Sequence, residues 1–238
     1  MHRVLKLGSL VFALILIVGL SAFAWLMLST PGSQRLALAS DLIDVNSSTG
    51  QQMLGSAAAR VDFAQLMPEF ETQSRRAFCG VASSVMVINA ALRPQPRVTQ
   101  ETLFTPQTRA VRGPLQVSFG GLTLDLLARI IESHDVHARA VHAADSSESN
   151  FRDTLRSALA EPRVFVVVNY DRKMLAQEGV GHISPVAAYS VDKDAVLVMD
   201  VAAYKYPSTW VPLPKLWRAM QGVDPDSGKT RGYLLASR

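Results

Sequence analysis

One cysteine is all that the 238 residues contain. An intrachain disulfide is therefore excluded, and Cys79 acts either as a single thiol or through another chain. Aromatic residues make up only 7% of the sequence, and the formal charge of +4 is mild. Lys and Arg never gather into a run. A nucleic-acid surface needs a basic stripe with aromatics to stack on, so this class has no support. The modest positive field suits a small anionic substrate instead. No internal repeat is present. A closed zinc site is missing as well: His134, His137 and His142 lie close together, but no thiolate accompanies them and their spacing fits no such pattern.

Charge is also absent from residues 7–28. Arg3 and Lys6 precede this mostly apolar run. About 20 apolar residues cross a bilayer. Residues 7–28 thus read as a transmembrane anchor, with 1–6 as its basic flank. Basic residues ahead of such a run hold the N-terminus in the cytoplasm and send the rest outward. A secretory signal peptide is the competing reading, since Ala22-Phe23-Ala24 and Ala37-Leu38-Ala39 both have the form of a cleavage site. The second lies well past the run, with Arg35 between, and the length of the run favours the anchor. Either way the body of the protein crosses the membrane. In a Gram-negative cell it is held on the periplasmic side of the inner membrane, or is periplasmic or secreted if the segment is cut. An unpaired thiol is unusual in an exported protein. It points to a reactive Cys79, with an intermolecular disulfide as the alternative.

Residues 29–60 are rich in Ser, Gly, Ala and Gln and read as a linker with patches of turn or helix. The remainder, 61–238, has the size of one domain. After Cys79, residues Val81, Ala82, Val85, Met86, Ile88 and Ala90 predict a helix, which Pro94 and Pro96 stop. A short helix is predicted at 99–104, a long polar loop at 105–118 and a strongly amphipathic helix at 122–133. A strand is expected at 136–142 and a helix at 150–160. The continuous β-rich run 163–170 is typical of a central strand. Residues 182–201 predict a hairpin turning at Asp192–Asp194. A loop follows from 204 to 214, then a short helix at 213–220 and a last strand at 231–236. Helices first and an antiparallel sheet afterwards make an α+β domain.

The stretch around Cys79 carries the chemistry. Gln73, Ser74, Arg75 and Arg76 are polar or basic, and the apolar helix begins just after them. A thiol at a helix start beside cations ionises more readily. Gly80 leaves room for close approach of a substrate. A buried, inert cysteine is the competing reading. His182 follows Gly181 at the mouth of a strand, and Asp200 ends the partner strand of the same hairpin. A cysteine on a helix with a histidine and an acid far downstream is the order used by papain-like thiol enzymes. Asp200 is then expected to accept the Nδ1–H of His182, leaving the other nitrogen for Cys79. Gln73 is a candidate oxyanion donor alongside the Cys79 N–H. Arg231 can grip a substrate carboxylate, although a surface charge is the simpler account of it.

Thr72-Gln73, Ala77-Phe-Cys-Gly-Val-Ala-Ser83, Gly181-His-Ile-Ser-Pro185, Val198-Met-Asp-Val-Ala202, Tyr204-Lys-Tyr-Pro207 and Trp210-Val-Pro212 closely resemble the catalytic domain of the phytochelatin synthases. The similarity runs from about Asp62 to Ala236. It implies a papain-like fold and a γ-glutamylcysteine transferase or hydrolase acting on glutathione. By that resemblance Cys79, His182 and Asp200 fall on the triad positions and Gln73 on the oxyanion position. Arg231, with Gly80 and Gly181, falls near the substrate. No cofactor is implied, and heavy-metal ions enter as part of a metal-thiolate substrate. The Cys-rich C-terminal region of the plant members, linked to metal response, has no counterpart here. Short bacterial members look mainly like glutathione hydrolases with weak synthesis. The implied partners are glutathione or its S-conjugates and a membrane through 7–28, not nucleic acid, with a homodimer left open. A peptide-processing peptidase of the same architecture and a non-catalytic thiol or metal-thiolate binder are the alternatives.

Overall fold

The computed structural model describes residues 2–238, with the backbone but not the side chains of residues 2–11. It opens with helix α1 (His2–Leu28). From Phe12 onward its apolar side chains stand largely in the open. The anchor expected at 7–28 begins among residues whose side chains lie outside the described set. Among the described residues no helix is long and apolar enough to cross a membrane.

The rest is α+β, built on an antiparallel sheet of seven strands. The strands are β1 (Ile43–Asp44), β2 (His137–His142), β3 (Val164–Asp171), β4 (Gly181–Ser190), β5 (Ala195–Val198), β6 (Thr209–Pro212) and β7 (Gly232–Ser237). Their order across the sheet is β1-β6-β5-β4-β3-β7-β2. Both faces are covered, which is why β3 reads as an unbroken apolar run. Phe165 and Val167 point to one core, and Val166, Val168 and Tyr170 to the other. Helices α4 (Cys79–Leu92) and α7 (Leu124–Glu132) pack into the first core; α8 (Glu148–Ala158) and α9 (Leu213–Met220) pack into the second. Helix α4 is buried on every side from Cys79 to Ala91, as a helix apolar all round must be. It ends at Arg93, which turns left-handed with φ 51° ahead of Pro94.

Four expectations need correction. Residues 29–60 are not a linker. Leu42, Val45, Met53, Ala57 and Ala59 are buried, β1 pairs with β6, and α2 (Ser48–Ser56) is capped by Ser47. The backbone N–H groups of Gln34 and Leu36 donate to the carbonyls of Tyr204 and Lys205. A few apolar anchors spaced among polar residues are enough to dock such a segment, and composition averages them away. Residues 99–104 form a turn closed by Thr99 and Thr102 on each other rather than a helix. The polar loop at 105–118 contains α5 (Pro106–Val111) and α6 (Pro114–Gly120). Each starts with a proline at its first position, where the missing N–H costs nothing. The loop from 204 to 214 contains β6. Its four residues alternate too briefly to register as a strand, yet they pair fully with β5.

Candidate functional site

Cys79 is the first residue of α4 and is buried, with 9% of its surface exposed. Two contacts hold this helix against β4. The Ser83 hydroxyl donates to the Ile183 carbonyl at 3.2 Å. Gly80 gives the close approach: a Cβ there would lie 2.8 Å from Leu122 Cδ1 and 3.4 Å from Ile183 Cδ1. Gly80 was expected to leave room for a substrate, but it does not line the cavity; it leaves room for Leu122 and β4.

His182 is the second residue of β4, opposite Tyr170 of β3. Its ring meets Tyr170 edge-on, with centroids 5.7 Å apart. Its Nε2 donates to Asp200 Oδ1 at 2.9 Å. This corrects the expected pairing through Nδ1. Asp200 lies past the end of β5, in the loop, and reaches the imidazole from the far side. Nδ1 is thus the nitrogen left for the thiol, whose ionisation His182 favours.

Asp200 Oδ1 takes two further donors, Arg172 Nη2 at 2.8 Å and the Ala202 N–H at 2.8 Å. Burial pushes this carboxyl up, but His182 and Arg172 overcome it and hold it well below the usual carboxylate range. Burial likewise pushes the Cys79 thiol up. The hydrogen bond and charge of His182, the Ile183 N–H and the Arg172 charge outweigh that and bring it below its ordinary value. For His182, burial and Arg172 favour the neutral ring, yet Asp200 and Cys79 win and raise it. A thiol drawn down beside an imidazole drawn up favours the thiolate–imidazolium form of the pair.

Arg172 was not singled out from the sequence. It is 3% exposed. Nη1 donates to Gln177 Oε1 at 2.6 Å, and the guanidinium sits 5.3 Å from the Tyr206 ring centroid. In sequence it is one more charge in a Gly-rich loop.

Gln73 is buried and lines the same cavity. Its N–H donates to the Val201 carbonyl. Its amide Nε2 donates to the carbonyls of Arg75 and Arg76, at 2.9 and 2.7 Å, while Oε1 has no partner. Both amide hydrogens are thus engaged in the turn before Cys79. The open N–H groups of the first turn of α4 remain as donors beside the sulfur.

The cavity around Cys79 measures about 590 Å³. Gly181 and Arg231 form one end of it. The guanidinium lies directly over Gly181, where a Cβ would strike it. Arg231 is 8% exposed, donates to Asn169 Oδ1 at 2.9 Å and stands 4.0 Å from Asp224 Oδ2. Asp224, buried at 5%, lines the cavity too. Asp224 was not singled out from the sequence. An Asp-Pro-Asp-Ser-Gly turn gives no sign that its first carboxylate turns inward.

The three clustered histidines do not converge. His134 bonds the Leu103 carbonyl and Thr108, while His142 bonds the Thr230 carbonyl and Asp125. Among the described residues no group of three or more metal-ligating side chains forms.

A buried thiol at a helix start, an imidazole and an aligned carboxylate make a constellation able to attack an acyl carbon. Such an arrangement is suited to thiol-dependent acyl transfer. The phytochelatin synthase family model matches residues 33–233. The chain belongs to that family. Glutathione gamma-glutamylcysteinyltransferase 1 of Lotus japonicus is 35% identical over 86% of this chain and 42% of its own length. Glutathione gamma-glutamylcysteinyltransferase 2 of Arabidopsis thaliana is 32% identical over 86% of this chain and 46% of its own. The enzyme of that name from Schizosaccharomyces pombe is 28% identical over 73% and 43%. The chain spans less than half the length of these curated relatives.

Proposed function

We propose that this chain cleaves the Cys–Gly amide of glutathione, with Cys79 as nucleophile on a papain-like fold. The names of the relatives support the substrate. The observation that carries the reading is the pair Arg231 and Asp224, buried at one end of the cavity that contains Cys79. A γ-glutamyl group ends in an α-carboxylate and an α-ammonium side by side. A guanidinium next to a carboxylate complements both.

The Cys79 sulfur attacks the carbonyl carbon of the substrate's cysteine. The oxyanion is held by N–H groups of the first turn of α4. His182 gives its proton to the glycine nitrogen, and glycine leaves. A γ-Glu-Cys thioester remains on Cys79. His182 then accepts a proton from water, which releases γ-Glu-Cys. Where the amine of a second glutathione attacks instead, the product is a phytochelatin. Asp200, braced by Arg172, keeps the imidazole aligned and its charge compensated through both steps. Hydrolysis is the main outcome, and metal ions enter as thiolates of the substrate.

The anchor reading belongs with this proposal. Arg3 and Lys6 flank the uncharged run, and Phe12, Ile15, Val18, Phe23 and Trp25 are all more than half exposed on α1. A helix apolar on all sides and largely exposed suits lipid. It holds the domain on the periplasmic side of the membrane.

Mass spectrometry of the products of the full chain with glutathione, with and without cadmium, tests the reaction. Free glycine and γ-Glu-Cys are expected, with little change on adding metal. Cys79→Ala should bring glycine release to background, and His182→Ala nearly so. Normal release by Cys79→Ala would remove the mechanism.

A further inference from the structure

The γ-glutamyl group uses only one side of the cavity. In the sheet, β3 and β7 lie on one side of β4, and β5 lies on the other. Arg231 and Asp224 belong to the first side. On the second, the cavity wall is made by Arg76, from the turn before α4, and by Tyr204 and Lys205, from the loop after Asp200. Both cations are held by fixed backbone. The Gln73 amide grips the carbonyls of Arg75 and Arg76, and the Gln73 N–H ties this turn to Val201. The Lys205 N–H donates to Ala202, and its carbonyl accepts from Leu36. The neighbouring Arg75 is spent elsewhere, on Ser118 and over the Phe78 ring. Arg76 and Lys205 pair with no acid among the described residues. Two cations without an acid partner, Arg76 exposed and Lys205 half-buried, thus line the cavity away from Arg231 and Asp224.

We infer that Arg76 and Lys205 form a carboxylate-binding subsite on the leaving-group side of Cys79, so that the enzyme removes one C-terminal residue bearing a free carboxylate. This rests on the proposed cleavage and narrows its substrate class. In glutathione the residue past the scissile amide is a single glycine, and its carboxylate follows the leaving nitrogen by one carbon. A guanidinium and an ammonium on that wall would charge-assist binding of the anion. A longer peptide would place a neutral amide there and leave both cations unanswered. The same contact disfavours endopeptidase activity.

Glycine release from glutathione, measured beside glycinamide release from γ-Glu-Cys-glycinamide, tests this in the wild-type full chain. A charged hydrogen-bond partner lost from such a site costs on the order of tenfold to a hundredfold. The acid is expected to exceed the amide in kcat/KM by that ratio, mostly through KM. In Arg76→Gln the ratio should fall towards one, with Lys205→Gln giving a smaller fall. The ratio is independent of the fraction of folded enzyme. Equal turnover of acid and amide by the wild type would overturn the subsite. So would a wild-type preference that survives both substitutions. Release from neither compound would instead remove the proposed reaction, and the subsite with it.

Discussion

Two of the buried aspartates, Asp62 and Asp200, are driven in opposite directions by their surroundings. Asp62, in the helix α3 (Val61–Leu66), is 0% exposed, and neither carboxyl oxygen has a hydrogen-bond partner. Burial alone acts on it and raises it to about 8. Asp200 is 2% exposed, yet one of its oxygens receives an imidazole, a guanidinium and a backbone N–H. It stays ionised. Burial does not decide the charge of an acid; the donors brought to it do. Asp200 is an electrostatic part of the site, whereas Asp62 is a neutral acid in the packing.

The largest test of that contrast is Asp200→Asn. The amide keeps the shape but cannot balance an imidazolium, so kcat/KM for glycine release should fall by on the order of 10² to 10⁴. Asp62→Asn should change it by less than about threefold, a size expected away from the reacting groups. Similar losses in both variants would erase the distinction.

How far this contrast was legible in the sequence follows from what each residue displays locally. Cys79 is visible because polar text meets an apolar helix there. His182 and Asp200 are visible because a hairpin and a family pattern frame them. The order of helices and strands gave the α+β class. Arg172, Asp224 and Asp62 were silent. Arg172 and Asp224 are charged residues in polar stretches and Asp62 sits among Ala, Val and Phe, and local text cannot distinguish a side chain turned inward from one in water. The pairing nitrogen of His182 was misjudged because it depends on which side of the ring the 200-loop approaches. The docking of residues 29–60 was missed because a handful of apolar anchors hold it.

The second test is Arg172→Met. The guanidinium holds Asp200 in its charged form but also opposes protonation of His182 and favours the Cys79 thiolate. Removing one partner of a buried pair costs about 3–5 kcal/mol of stability. Activity should drop on the order of tenfold, a positioning loss. Its pH profile carries the sign. The wild-type kcat/KM should be bell-shaped: it rises as the thiol ionises, below its ordinary value, and falls as the imidazolium deprotonates, above its own. In Arg172→Met both limbs should move to higher pH. In Asp200→Asn the alkaline limb should move to lower pH, since Asp200 is what raises His182. Limbs that stay in place in both variants would mean that neither group sets the ion pair.

The smallest effect on activity comes with a distinct effect on stability. Asp62 is raised from 3.8 to about 8 in the fold, so the native state binds its proton more tightly than the unfolded chain does. Below about pH 4 both states are protonated and the group has no pH-dependent cost. As pH rises, the unfolded carboxyl ionises first, while the folded one must stay neutral or bury a bare charge. Stability is therefore lost progressively between about pH 4 and about pH 8 and levels off above, with a total loss on the order of 3–5 kcal/mol. In Asp62→Asn the side chain remains neutral and unpartnered at every pH. Variant and wild type should then melt alike near pH 4, and the variant should melt higher by on the order of 5–10 °C near pH 8. A difference that does not grow with pH would mean that Asp62 has donors after all, and the two aspartates would no longer be opposites.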